Sequence, residues 1–333
     1  MKVRPGSYDL DTGIVTTPLV IPAGTILSGA GVGASTILTK KTGPQATFSL
    51  AGVGSVVEQF SVVVQSVGSG SPNPGGNIFN SAAGAVIRRC DLALGPFNLL
   101  PGAQTVGFAG SGFALEDCTA SASFNGGEFP FDWKAICVLP TSNVKIRGLE
   151  TTGFDCPLYF SGDLGFFGDI SVSHSRFEGF AEWGIYSDQI GAAVENISLS
   201  NVTIDATSAS ATGGGIYSYG LGVDANWSAV QLNIDASGCR SAITLAGNGG
   251  RFTCSASKLK ALPVGVSVIE SELGANWALI ITGNTIEISA GLGIGISTNT
   301  GNPSIIALNK FLCLTPVDGA LLQGTIVQIL GNN

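Results

Sequence analysis

Apolar and polar residues alternate over four to seven positions at a time along this chain, and the runs break at Gly, Ser, Asn or Thr. Alternation with period two marks strands that bury one face, and no stretch sustains the 3.6-residue period of an amphipathic helix. Two runs are near copies: GIYSDQIG at Gly184–Gly191 and GIYSYGLG at Gly215–Gly222. Related runs are AICVL, PLYFS, AITLA, GVSVI and GIGIS. Their lead residues, with those of the two copies, are Ile136, Leu158, Ile185, Ile216, Ile243, Val266 and Ile294, in steps of 22, 27, 31, 27, 23 and 28. A second series interleaves, with markers Ile87, Leu115, Val144, Ile170, Ile197, Val230, Phe252, Leu279 and Ile305, evenly enough to share one mean step with the first.

Two strands per turn of about 27 residues is the mark of a solenoid. The pattern predicts an all-β, right-handed parallel β-helix of about 12 rungs stacked about 4.8 Å apart. One domain is expected over residues 1–333, with an opening cap at 1–45, repeating rungs at 46–310 and a C-terminal rung or cap at 311–333. Four stretches rich in Gly, Ser and Pro, at 66–77, 101–112, 121–133 and 205–215, read as loops leaving the coil at its corners.

Composition fits this picture. Only 11% of the residues are charged and 48 are glycine, as expected of tight corners around an uncharged interior of Ile, Val, Leu, Phe, Cys90 and Cys118. A net charge of -8, with no basic run beyond Lys40-Lys41 and Arg88-Arg89, argues against a nucleic-acid partner. The apolar runs are too short to support membrane insertion. The chain passes from Met1 into strand-like sequence without an apolar leader, so synthesis in a cytoplasm is expected. Seven cysteines without regular pairing fit reduced, buried thiols.

The opening VRPGSYDL, followed by LVIPAGTILSGAGVGASTIL, resembles the first rungs of right-handed parallel β-helix proteins of the pectate-lyase-like superfamily, phage tailspikes and virion appendages above all. The motif runs as far as Leu38, and the rest matches by period alone. The resemblance implies a virion protein, made in the host cytoplasm or else extracellular, that forms homotrimers with other virion proteins as partners and recognises bacterial surface polysaccharide. The calcium-binding aspartates and basic residue of the family's lyases have no counterpart that can be placed here. No cofactor and no metal is expected.

Within each I-x-[VSL] strand the first and third residues point inward and the middle one outward. The outward series is Cys137, Tyr159, Tyr186, Tyr217, Thr244, Ser267 and Gly295, so three consecutive rungs present tyrosine. Such a strip suits sugar rings, with Trp183 and Tyr219 beside it. Equally, it is an aromatic stack that only stabilises neighbouring rungs. Asp163, Glu182 and Asp188 lie close in sequence to the strip and are the candidate catalytic carboxylates of a glycoside hydrolase or lyase; Glu178 and Asp205 align on the other series. The competing reading is a solvated acidic face. His174, the single histidine, is matched with Asn201 and Asn284 and reads as part of an inward or corner polar ladder. Three functions remain open: a polysaccharide-binding appendage, a polysaccharide-degrading enzyme, or a structural spike whose tyrosines are a subunit contact.

Overall fold

The computed structural model describes residues 1–10, 18–41, 46–66, 78–97, 104–108, 110–124, 134–138, 141–161, 166–190, 193–194, 196–221, 225–247, 250–262, 264–269, 277–289, 291–296, 304–313, 315–318 and 326–328. Among these residues every regular element is a strand. By its contacts the chain divides into two compact units, Met1–Tyr159 and Phe160–Asn333. Each is a parallel β-solenoid.

In the second unit every turn gives one strand to a flat sheet and two short strands, joined at a corner, to a bent sheet. The flat sheet stacks Trp183–Ile190, Gly214–Leu221, Ser241–Gly247, Val264–Ile269, Leu292–Ile296 and Thr315–Asp318. Its register joins Ile185 to Ile216, Ile216 to Ile243, Ile243 to Val266, Val266 to Ile294 and Ile294 to Val317. The five predicted lead residues of this unit, from Ile185 to Ile294, are therefore a true column. In the first unit the flat sheet stacks Leu19–Ile21, Phe48–Leu50, Phe79–Ser81, Gln104–Phe108 and Lys134–Val138. The turns are unequal, as the steps in the sequence are: the turn from Ile185 to Ile216 is longer than the turn from Ile243 to Val266.

The corner of the bent sheet explains why the second series is harder to align. One residue per turn there is left-handed: Gln59, Arg89, Asp117 and Gly148 in the first unit, and His174, Asn201, Gln231, Ala256, Gly283 and Leu308 in the second, with φ between 50° and 66°. Only Gly adopts this region freely, with Asn and Asp next, so the corner must be held by its neighbours. Counted from it, three markers are misplaced. Leu115 pairs with Ile146 rather than Val144, Ile197 with Trp227 rather than Val230, and Ile305 with Ile280 rather than Leu279. The last two errors share a cause, since the corner shifts the alternation and the exposed Val230 and Ile305 pass for inward residues; Val144 is itself buried and lies one inward position too early.

The loop expected at 101–112 is also corrected, because Gln104–Phe108 is a flat-sheet strand. Val106 pairs with Phe79 on one side and Ile136 on the other, and the Thr105 hydroxyl donates to the Ala135 carbonyl. Gly107 interrupts the apolar pattern that would have revealed it. The predicted 205–215 loop is a pair of turns between Asp205 and Gly214. Most of the predicted loops at 66–77 and 121–133 lies outside the described residues.

Aromatic residues fill both interiors. Phe48, Phe60, Phe79, Phe113 and Phe154 are fully buried in the first unit, where Phe48 and Phe79 stack at 5.1 Å. Phe160, Phe177, Phe180, Trp227 and Trp277 are fully buried in the second, where Phe160 meets Trp227 edge to face at 6.1 Å. Each stacked pair adds roughly 0.5–1.5 kcal/mol beyond its area burial.

The position just after the corner points inward, and its occupants differ between the units. In the first unit it holds Phe60, Cys90, Cys118 and Leu149, all buried. In the second it ends in a polar ladder of Ser257, Asn284 and Asn309, also buried. The Asn284 side chain accepts from the Ser257 amide at 2.9 Å and donates to the Cys254 carbonyl at 2.9 Å. Asn309 accepts from the Asn284 amide at 3.0 Å and donates to the Ile281 carbonyl at 2.7 Å. Of the predicted ladder only Asn284 stands here: His174 and Asn201 both sit one position earlier, exposed at the corner itself.

Candidate functional site

The repeated GIYS motif is built around glycine. A Cβ on Gly184 would lie 2.4 Å from Ile204 Cγ2, and one on Gly215 would lie 2.5 Å from Ile234 Cγ2. Gly184 and Ile185 therefore both face the interior, which breaks the alternation and returns Trp183 to the side of the sheet that carries the tyrosines. Gly214 completes the fit, since a Cβ there would meet the Trp183 ring at 2.6 Å and the Ser241 carbonyl oxygen at 2.1 Å.

Tyr186 and Tyr217 are in register on successive strands. Their rings stack with centroids 4.9 Å apart and planes 10° apart. The Trp183 ring lies 5.1 Å from Tyr217, tilted by 50°. Trp183 is buried, while both tyrosines keep part of their surface in solvent. The result is an aromatic platform of two stacked, partly exposed rings with the buried tryptophan packed against them.

Tyr159 belongs to the first unit, where the buried Lys134 ammonium lies 4.0 Å from its ring centre. A cation over an aromatic face gains about 2 kcal/mol when desolvated. Sequence reasoning passes over Lys134, whose place at the start of AICVL hides it among apolar neighbours. Two members of the outward series are not at the surface. Cys137 and Thr244 are buried, and Thr244, in register with Tyr217, shares a short hydrogen bond with Ser241.

Of the candidate carboxylates, Glu182 is at the surface beside the platform, and its backbone carbonyl accepts from the Gly214 amide at 2.9 Å. Asp188 is in backbone register with Tyr219; the side chains of both lie outside the described residues, as does the whole of Asp163. The bent sheet gathers three others. Glu178 pairs with Asp205, and Asp205 with Asp235, so three carboxylates follow one another on adjacent rungs. Asp235 escapes the sequence reading, although its NID repeats the TID of Asp205. Each has a partner: Arg176 at 2.6 Å from Glu178, the Thr207 hydroxyl at 2.6 Å from Asp205, and Lys260 at 3.3 Å from Asp235. Burial would raise the Asp235 carboxyl, but hydrogen bonds from Ser237 and the Lys260 charge outweigh it and hold the group below its usual range.

No protein-family model matches the sequence, and no curated protein is significantly similar to it. Solved structures share the fold. The catalytic domain of a GH87 α-1,3-glucanase, as an aspartate-to-alanine variant in complex with tetrasaccharides, is similar with a TM-score of 0.65 and 11% identity, over 99% of this chain and 64% of that one. A second aspartate-to-alanine variant, in complex with nigerose, gives 0.64 and 12% over the same shares. The chain thus spans 64% of the length of these solved chains. At such identity the likeness establishes the parallel β-helix fold.

Proposed function

We propose that this chain is a polysaccharide-binding β-helix of a phage virion appendage, tailspike- or fibre-like, which lays a sugar chain across the Tyr186 and Tyr217 rings. The observation that carries this reading is the stacked, partly exposed tyrosine pair with Trp183 packed against it. Pyranose rings present C–H faces that settle on aromatic rings, while their hydroxyls reach the phenols. The neighbours' oligosaccharide complexes support the same class of ligand. Homotrimers and a place on the virion belong to this proposal.

The test is binding of bacterial surface polysaccharides and of α-1,3-glucan oligosaccharides, measured by calorimetry. Tyr217→Ala should weaken binding about tenfold, the loss of an aromatic contact of roughly 1–1.5 kcal/mol. If Tyr217→Ala instead dissociates the oligomer in light scattering and no glycan binds the intact protein, the strip is a subunit contact and the reading fails.

A hydrolase is the second reading, favoured by the carboxylates on successive rungs. Strands stack about 4.8 Å apart, close to the roughly 5–5.5 Å between carboxyl groups in a retaining glycosidase. Release of reducing ends from α-1,3-glucan or capsule, abolished by Asp205→Asn or by Glu182→Gln with Asp188→Asn, would establish it. Release that survives all three changes places the chemistry elsewhere.

A further inference from the structure

The bent sheet of the second unit carries a shallow depression of about 360 Å3, lined by Asn196, Ser198, Asn226, Ser228, Arg251 and Thr253 around the backbone of Ile197 and Trp227. The register sets these residues in two columns. Ile197 pairs with Trp227 and Trp227 with Phe252, so Asn196, Asn226 and Arg251 follow one another on successive strands. Ser198, Ser228 and Thr253 form the parallel column two residues further along each strand. A ligand lying across the strands would meet a new amide or cation and a new hydroxyl about every 4.8 Å.

The chemistry of this lining is uneven. Among the described residues Arg251 has no carboxylate partner, and the side chains of Asn226, Ser228 and Thr253 make no hydrogen bond within the protein. The nearest acid in the same column, Asp169, is three rungs from Arg251 and accepts from Asn196 at 3.1 Å. Unspent donors thus face one way, with a single guanidinium at one end, on a protein of net charge -8. A guanidinium fork binds a planar carboxylate or an ester oxyanion through paired hydrogen bonds, and amides and hydroxyls match sugar hydroxyls.

We propose that this depression is a second glycan site, on a different sheet from the aromatic platform, that selects a saccharide bearing one anionic substituent. The anion sits at Arg251, and Asn226, Ser228 and Thr253 hold the flanking hydroxyls. This site extends the proposed function, yet it stands on different residues and fails independently of it.

The test compares cellobiose, cellobiouronic acid and cellobiose sulfate by calorimetry on the full chain at low salt. At least one anionic sugar should bind about fivefold tighter than cellobiose, the size of effect an exposed charge pair supplies. Whichever anion is preferred tells a carboxylate from a sulfate ester. The preference should vanish in Arg251→Gln, fade in molar salt, and persist in Tyr217→Ala. Equal binding of all three sugars, or an anion preference that survives Arg251→Gln, overturns the proposal. A preference lost in Tyr217→Ala but kept in Arg251→Gln moves the anion to the platform and overturns it too. Neutral-glycan binding lost in Tyr217→Ala bears on the platform alone.

Discussion

The two units solve one problem with different chemistry. At the bent-sheet corner a left-handed residue turns the chain, and the next residue points into the core, where its backbone amide needs an acceptor. In the later turns of the second unit the following rung supplies a strong one: Ser257 Oγ for the Leu232 amide, Asn284 Oδ1 for Ser257, and Asn309 Oδ1 for Asn284, at 2.9, 2.9 and 3.0 Å. In the first unit sulfur takes that place, with the Phe60 amide against Cys90 and the Cys90 amide against Cys118. Sulfur is a weak acceptor. The first unit therefore leans on apolar packing of Phe60 and Leu149 around the thiols, whereas the second leans on amides that bond to backbone above and below.

Breaking the amide ladder should have the largest effect. Asn284→Leu takes the acceptor from the Ser257 amide and the side-chain donor from the Cys254 carbonyl, while Asn309 keeps the Asn284 backbone amide and the Ile281 carbonyl; buried groups that lose a partner in this way cost about 1–3 kcal/mol each. Urea unfolding should show a loss of at least about 2 kcal/mol. A loss under about 1 kcal/mol would mean that the ladder is incidental to stability.

A pH experiment sharpens the contrast next. Cys254 lies against the ladder, and burial pushes its thiol up to about 11. In the unfolded chain the thiol ionises at about 8.5. Between these values the unfolded state releases a proton that the folded state keeps, so this contribution is intact below about pH 8.5 and is lost as pH rises towards 11. The stability difference between about pH 8 and about pH 10.5, measured with reductant present, should be on the order of 2 kcal/mol smaller in Cys254→Ala than in the natural sequence. Identical pH profiles would refute the assignment.

The smallest effect is expected in the first unit. The neighbouring Cys90 thiol and burial together push the Cys118 thiol up, so it stays a neutral donor and acceptor. Cys118→Ser keeps an acceptor for the Cys90 amide, as Ser257 does in the second unit, and should cost only about 1 kcal/mol in urea unfolding. A cost matching that of Asn284→Leu would erase the distinction between the two corners.

Much of this is legible in the chain. The flat sheet declares itself because its lead residues recur beside glycine, and that glycine is required where a Cβ would strike Ile204 or Ile234. Tyr186 and Tyr217 follow from the same alternation. The bent sheet reads less well, because a left-handed residue between two strands resets which positions face inward, and nothing in Gln231, Ala256 or Leu308 announces that conformation. Matching Asn284 with His174 is accordingly one place off. Trp183 stands out in sequence only as company for the tyrosines, since the kink at Gly184 that brings it to them is a property of three dimensions. Lys134, Cys137 and Thr244 show the same limit: period two tells which side of a strand a residue takes, but not what covers that side.

The register carries one more consequence. From Phe48 onward, each flat-sheet strand of the first unit pairs with the strand one turn earlier in the chain, as Phe48 does with Leu19 and Val106 with Phe79. A nascent chain leaving the ribosome therefore finds the partner of each new flat-sheet strand already synthesised, while the corner amides wait for an acceptor from the following turn. Growth by addition to a finished edge lets such a coil assemble in the order in which it is made, each completed turn serving as the mould for the next.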